Sequence, residues 1–362
     1  MHKRERNWGI DLMRMLCMLL IAAYHVMGHG RILIHPEISQ KGYVLAKLLQ
    51  AATFCAVDGY ALISGYVGVS SRYRLSSLAV LWLRVWLYSV LLTLLPAWLA
   101  PEAVGAADVL RGLFPTVLGQ YWYFTAYAGC FLLVPFARAA LKNLGRRQMR
   151  ALLVMALLAF SVAPVAVGGD PFNTNVGYSS LWLLLLYALG GYIGKYRPFE
   201  RVSAAKLAAV FIGCVVFSCA AGFAIEHANF LASGEKTGYG RFVRNDSPTI
   251  LACAVVLLAF CSRLKVTRGR RAIAALAPLS FSVYLIHDHP YARMFFMNRY
   301  LSEIAALRTV LVIPAILAAA AGIYIVCSLL DMPREWLFAR LDVKGRLDRL
   351  ETRLTGDLFD DI

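Results

Sequence analysis

Arg14 and His25 stand eleven residues apart inside one apolar run, residues 8–27. At about 100° and 1.5 Å per residue, a helix returns them to nearly one face, about 16 Å apart along its axis. Charged and imidazole groups in a segment able to cross a bilayer usually face the protein interior or an aqueous path, so a functional site is the default reading. A guanidinium binds phosphate bidentately and stays charged in poor solvent. An imidazole near its ordinary pKa holds or releases a proton at neutral pH. One helix face thus offers an anion site near one end and a candidate base near the other.

The elements that must position these groups follow from composition. The chain has 362 residues, 60% hydrophobic and 16% charged, with mean hydropathy +0.62; a soluble domain has roughly 25% charged residues. Several apolar runs approach the roughly 20 residues needed to span a bilayer. An all-α, polytopic membrane bundle is expected, with ten helices near residues 8–27, 44–68, 76–98, 121–141, 149–167, 179–194, 204–225, 249–262, 273–287 and 307–330. The eighth and ninth of these are short. Residues 1–333 form the membrane domain, and 334–362, mixing Leu, Arg and Asp, reads as an amphipathic cytoplasmic tail at the membrane surface. The basic N-terminus resembles a secretory signal, but the run behind it carries Arg14 and His25 with no A-x-A site, so it is read as a retained span.

The net charge of +16 does not point to nucleic acid, because the basic residues cluster between apolar runs. With both termini cytoplasmic, 24 of the Lys and Arg fall inside and ten outside. All eight cysteines are free of CxxC spacing and nearly all lie in apolar segments, which indicates neither a disulfide framework nor a zinc site.

This topology groups the polar residues. Arg14, Arg72, Arg74 and Arg84 converge on the inner half of the membrane as a phosphate-sized cluster, with snorkelling to lipid headgroups the competing reading for Arg74 and Arg84. His25, the tetrad His287-Asp288-His289-Pro290 and the aromatic group Tyr121-Trp122-Tyr123 fall at the outer side. A membrane belt is the bland reading of those aromatics. A metal on His25, His29, His287 and His289 is disfavoured: glycines flank His29 and no acidic partner is evident.

These residues resemble the acyltransferase 3 family, bacterial membrane enzymes that O-acetylate surface polysaccharides. The Arg and His of the first span stand in IDLMRMLCMLLIAAYHV. The second span, FCAVDGYALISGYVGVSSRYR, is similar to the family's Ser-Gly-aromatic signature. The fourth, QYWYFTAYAGCFLLVP, is similar to its Trp-Tyr-x3-Tyr element, and the ninth ends SFSVYLIHDHP. The likeness extends over roughly residues 7 to 330. It implies about ten spans in a bacterial cell membrane, with acetyl-CoA or another acyl-CoA as donor and a glycan or lipid-linked saccharide hydroxyl as acceptor. His25 would be essential and supported by Arg14. The donor would dock on Arg14, Arg72 and Arg84, with Ser64 or Tyr123 aiding the oxyanion and His287 orienting His25. Trp122, Tyr127, Asp288 and His289 would contact the acceptor. The rival class is transport, a flippase or exporter of polysaccharide or small anions. A structural partner in a synthesis complex ranks third.

Overall fold

The computed structural model describes residues 6–69 and 71–356, and among these every regular element is helical. Most of the basic N-terminus, residues 1–5, and the end of the expected tail, residues 357–362, lie outside the described residues. The helices are α1 (Trp8–His29), α2 (Gln40–Gly68), α3 (Leu75–Leu99), α4 (Ala106–Leu113), α5 (Trp122–Asn143) and α6 (Arg146–Val167). They continue with α7 (Ser180–Tyr196), α8 (Ala204–Ser233), α9 (Pro248–Cys261), α10 (Arg270–Leu276) and α11 (Ser280–His287). The chain closes with α12 (Thr309–Arg340) and α13 (Val343–Thr355).

Seven of the described helices, α1, α2, α3, α5, α6, α8 and α12, are long and apolar enough to cross a membrane. The other three expected apolar segments are shorter: α7, α9, and the 273–287 stretch, which breaks. In place of one helix there, α10 ends at Leu276, a 3-10 turn covers Ala277–Leu279, and α11 begins at Ser280. Pro278 inside that turn has no N–H to continue an α-helix. The surface helix α4 was not expected, since at eight residues it is too short for a strong periodic signal.

Helix starts are set by side chains that accept from otherwise orphaned N–H groups: Asn7 for α1, Ser39 for α2, Ser179 for α7 and Ser203 for α8. The α1 helix runs through His29 and stops at Gly30. At the centre of the bundle α2 packs against α1, α7, α8, α9 and α12. Its crossing with α7 is close because of two glycines: a Cβ on Gly65 would strike the Tyr187 carbonyl, and one on Gly190 the Leu62 carbonyl. Such backbone approach is how helices gain contact where the hydrophobic effect no longer drives them together. Trp98, Phe136, Leu231 and Val310 remain exposed on the outside of the bundle, as a lipid-facing surface requires.

The last long helix does not end where the apolar run does. It continues through Pro333 and Arg334 to Arg340, so position 334 is helix interior rather than the start of a separate tail. Arg334 is buried there on Asp331, whose carboxylate also accepts from the Tyr88 hydroxyl at 2.5 Å. The amphipathic helix α13 follows and folds back on the start of α3. Glu351 accepts from the backbone N–H of Leu75 and Ser76 at 2.7 and 3.0 Å, and Asp348 accepts from the Ser76 hydroxyl at 2.5 Å.

Basic segments gather at one end of the bundle. Asn7 donates to the Ser262 carbonyl, Arg263 reaches carbonyls of Phe199, Glu200 and Val202, and Arg270 lies over the Trp8 ring.

Candidate active site

At the other end of α1, His25 meets the last residue of α11. His25 Nδ1 lies 2.9 Å from His287 Nε2 and 3.2 Å from Asp288 Oδ1. His287 Nδ1 is 2.5 Å from the Val283 carbonyl, an atom that only accepts. His287 therefore carries its proton on Nδ1 and presents a bare Nε2. His25 Nδ1, facing that lone pair and a carboxylate, must be the donor. The remaining nitrogen of His25, Nε2, makes no hydrogen bond among the described residues and holds the free lone pair.

Asp288 anchors this arrangement. It is almost fully buried and takes Arg293 bidentately, at 2.9 Å and 2.6 Å, while His29 Nε2 approaches its Oδ1 at 3.2 Å. A buried carboxylate requires such pairing. The acidic partner that seemed missing beside the histidines is thus supplied from 259 residues away along the chain. His25, His29 and Asp288 offer three donor atoms within 4.8 Å of one another, close enough to hold a metal. The Arg293 guanidinium on the same carboxylate already supplies the positive charge and would oppose a second cation. His289 does not join them. It is buried against α3, with Nε2 3.3 Å from the Thr93 hydroxyl and Nδ1 accepting from the Tyr291 N–H.

Arg14 sits eleven residues earlier on the same helix. Asp11 holds it at 2.5 Å and also takes Arg6 at 2.5 Å. A cavity of about 880 Å³ opens here, lined by Arg6, Arg14, Arg84 and Arg197 and by Tyr60, Ser64 and Tyr123. A second, of about 250 Å³, shares Arg14, Ser64 and Tyr127 with it and adds Arg72, Arg74 and Arg138. Of the four arginines expected to converge, Arg14 lines both cavities, Arg84 only the larger, beside Arg6 and Arg197, and Arg72 and Arg74 only the smaller, beside Arg138. Arg138 is buried in α5 and donates to the Gly68 and Ser71 carbonyls, holding the loop that carries Arg72 and Arg74. It was invisible in the sequence because its apolar run reads as an ordinary span with one snorkelling cation.

Arg84 has a second duty. Its Nη1 donates at 3.2 Å to the Pro278 carbonyl, one of the groups freed where 273–287 breaks, and Glu335 lies 3.6 Å away. Ser64 lines both cavities but its hydroxyl donates to its own helix at Tyr60. Tyr123 closes the larger cavity and contacts the rings of Tyr60, Tyr127 and Tyr284. Tyr127 lines both arginine cavities and stacks on Tyr123, whose ring contacts Trp122. Trp122 packs on Tyr178, with ring centroids 4.3 Å apart. His25 is not among the residues lining the arginine cavity; Cys17, Met18 and Ala22 fill α1 between the two ends.

The described chain is a helical bundle with seven candidate membrane spans, an imidazole pair at one end and an arginine-lined cavity at the other. Residues 7–332 match the family model described as an acyltransferase domain, and the chain belongs to the acyltransferase 3 family. No curated protein and no solved structure matches it.

Proposed function

We propose that the protein moves an acetyl or similar acyl group from acyl-CoA to a hydroxyl of a surface or exported glycan. The observation that carries this reading is the unshared Nε2 of His25, held by His287 and Asp288, on the same helix as the arginine cavity. The donor's phosphates dock on Arg14, Arg72 and Arg84, and the pantetheine arm covers the distance to His25. His25 Nε2 takes the proton of the sugar hydroxyl, whose oxygen attacks the thioester carbonyl. The carbon–sulfur bond then breaks, and the proton passes from His25 to the departing CoA thiolate. Tyr123, which lines the larger cavity, donates to the developing oxyanion. His287 and Asp288 position His25 and stabilise its charged form; Trp122 and His289 shape the acceptor side.

In this reading the three shorter apolar helices also cross the membrane, making ten spans with both termini in the cytoplasm of a bacterial cell. The basic end then faces the acyl-CoA pool. Membrane lipids surround residues 1–333, and α13 lies on the cytoplasmic surface.

The test is transfer of radiolabel from acetyl-CoA to glycan by the reconstituted protein. His25→Ala should abolish transfer with protein abundance intact; surviving transfer would remove His25 as the base. Label that crosses the bilayer without entering glycan would favour transport instead.

A further inference from the structure

A cavity of about 480 Å³ lies beside the histidine end, outside the site described above. It is walled by the last turn of α1, the first turns of α2, α8 and the loop that follows α8. Gly28 stands one turn beyond His25, about 4.5 Å along the axis, and a Cβ there would meet nothing within 4 Å. The helix therefore opens a gap into this cavity at the turn nearest the imidazole pair.

The lining is chemically lopsided. Arg31, Lys47 and Lys236 contribute three positive charges against the single carboxylate of Glu226, and none of the four makes an ion pair with a described residue. Lys47 is held in place rather than left to wander: its ammonium lies 4.0 Å from the Tyr239 ring centroid and 5.5 Å from that of Tyr43. Tyr239 in turn donates to the Lys47 carbonyl at 3.2 Å. Gln50 turns a buried Oε1 into the same wall with no hydrogen-bond partner, an acceptor awaiting a donor. A positioned ammonium with two further cations beside it, two tyrosine rings and an unsatisfied amide acceptor are what a sugar bearing an acid group needs. The acid pairs with the cations, the ring lies on the aromatics, and hydroxyls donate to Gln50 and Glu226.

We infer that this cavity is a subsite for an anionic sugar residue, a carboxylate-bearing saccharide of the acceptor glycan, held one turn from His25. The identification of the sugar as acceptor rests on the acyl-transfer reading; the binding itself does not.

The experiment measures binding without donor, by calorimetry on the full chain in phosphatidylcholine nanodiscs. The probes are a β-1,4-linked glucuronate tetramer and its neutral counterpart, a β-1,4-linked glucose tetramer. The acidic probe should bind about tenfold or more tighter, the scale of one charge-assisted contact. The double variant Arg31→Gln/Lys47→Gln should erase that preference, and Gly28→Leu, which fills the gap, should weaken both probes with the melting temperature retained. Equal affinity for the two probes overturns the inference, as does a preference that survives the double variant. If phosphatidylglycerol in the nanodisc abolishes glucuronate binding, the cations serve lipid headgroups and the inference also falls. Failure here leaves transfer from acetyl-CoA to neutral glycans standing. Selective binding without any transfer would keep the subsite and remove the acyl-transfer reading.

Discussion

The two ends of α1 are built to opposite specifications. At the histidine end the groups interlock: around buried Asp288 and His287, the side chains of His25, His29 and Arg293 fix one another's atoms within 3.2 Å or less. At the arginine end the cations stand around open space, in two adjoining cavities of about 880 and 250 Å³ that share Arg14. A reacting group must be placed to within fractions of an ångström. A binding site for a polyanion needs field and room. On the acyl-CoA reading proposed above, the contrast predicts that damage to one end changes turnover and damage to the other changes donor affinity.

After the loss of His25 itself, the largest effect is expected at Asp288. Asp288→Asn keeps the shape and an acceptor for His25 and His29 but removes the charge that steadies a protonated imidazole. Turnover should fall by about 10²–10⁴, the range of general acid–base contributions, while KM for acetyl-CoA stays within twofold, on the order of the scatter in such measurements. A raised donor KM with turnover intact would erase the division of labour between the ends.

The mirror experiment is Arg14→Ala. Losing one charge-assisted contact to phosphate should raise donor KM by about 10–100-fold, since such a bond is worth roughly 1.5–3 kcal/mol. Turnover at saturating donor should change far less. If turnover collapses instead, Arg14 acts on α1 geometry through Asp11 rather than on the donor.

What the amino-acid sequence made legible follows the same divide. The apolar runs that became α1, α2, α3, α5, α6 and α7 were readable to within a few residues, because membrane spans are long and carry a composition signal. The pairing of His25 with the 287–290 tetrad was readable from topology, since both end their helices on one side. Asp288's position between His25 and His29 was not, because it depends on how α11 rotates against α1 across more than 250 residues of chain. The same holds for Arg138 under the 69–74 loop and for Tyr127 on the arginine side. Gly65 was legible as part of a motif, yet only the crossing with α7 explains why nothing larger fits there. The break at Pro278 carried a local signal, the proline itself, that a single 273–287 helix passed over.

The smallest effect separates the arginine end from its support. Burial of Glu351 and Asp348 opposes their ionisation, but Ser76 and the start of α3 donate hydrogen bonds that outweigh it, helped by Arg74, so both carboxyls titrate below their ordinary values. Groups with lowered folded pKa stabilise the docked helix fully above the unfolded value and lose that contribution as pH falls through the folded one. Docking of α13 on α3 should therefore be unchanged from neutral pH down to about 5 and weaken below about 4, where ordinary carboxyls protonate. Amide hydrogen exchange at Leu75 and Ser76, corrected for intrinsic rate, reads this directly. Glu351→Gln should reproduce part of the acid effect at neutral pH, with a loss of about 0.3–1 kcal/mol, the usual strength of a carboxylate at a helix N-terminus. Because α13 steadies the loop bearing Arg72 and Arg74, the same variant should raise donor KM about twofold, in proportion to that energy, and leave turnover alone. Protection that stays constant through pH 4, or a change confined to turnover, would detach α13 from the donor side and leave the comparison resting on α1 alone.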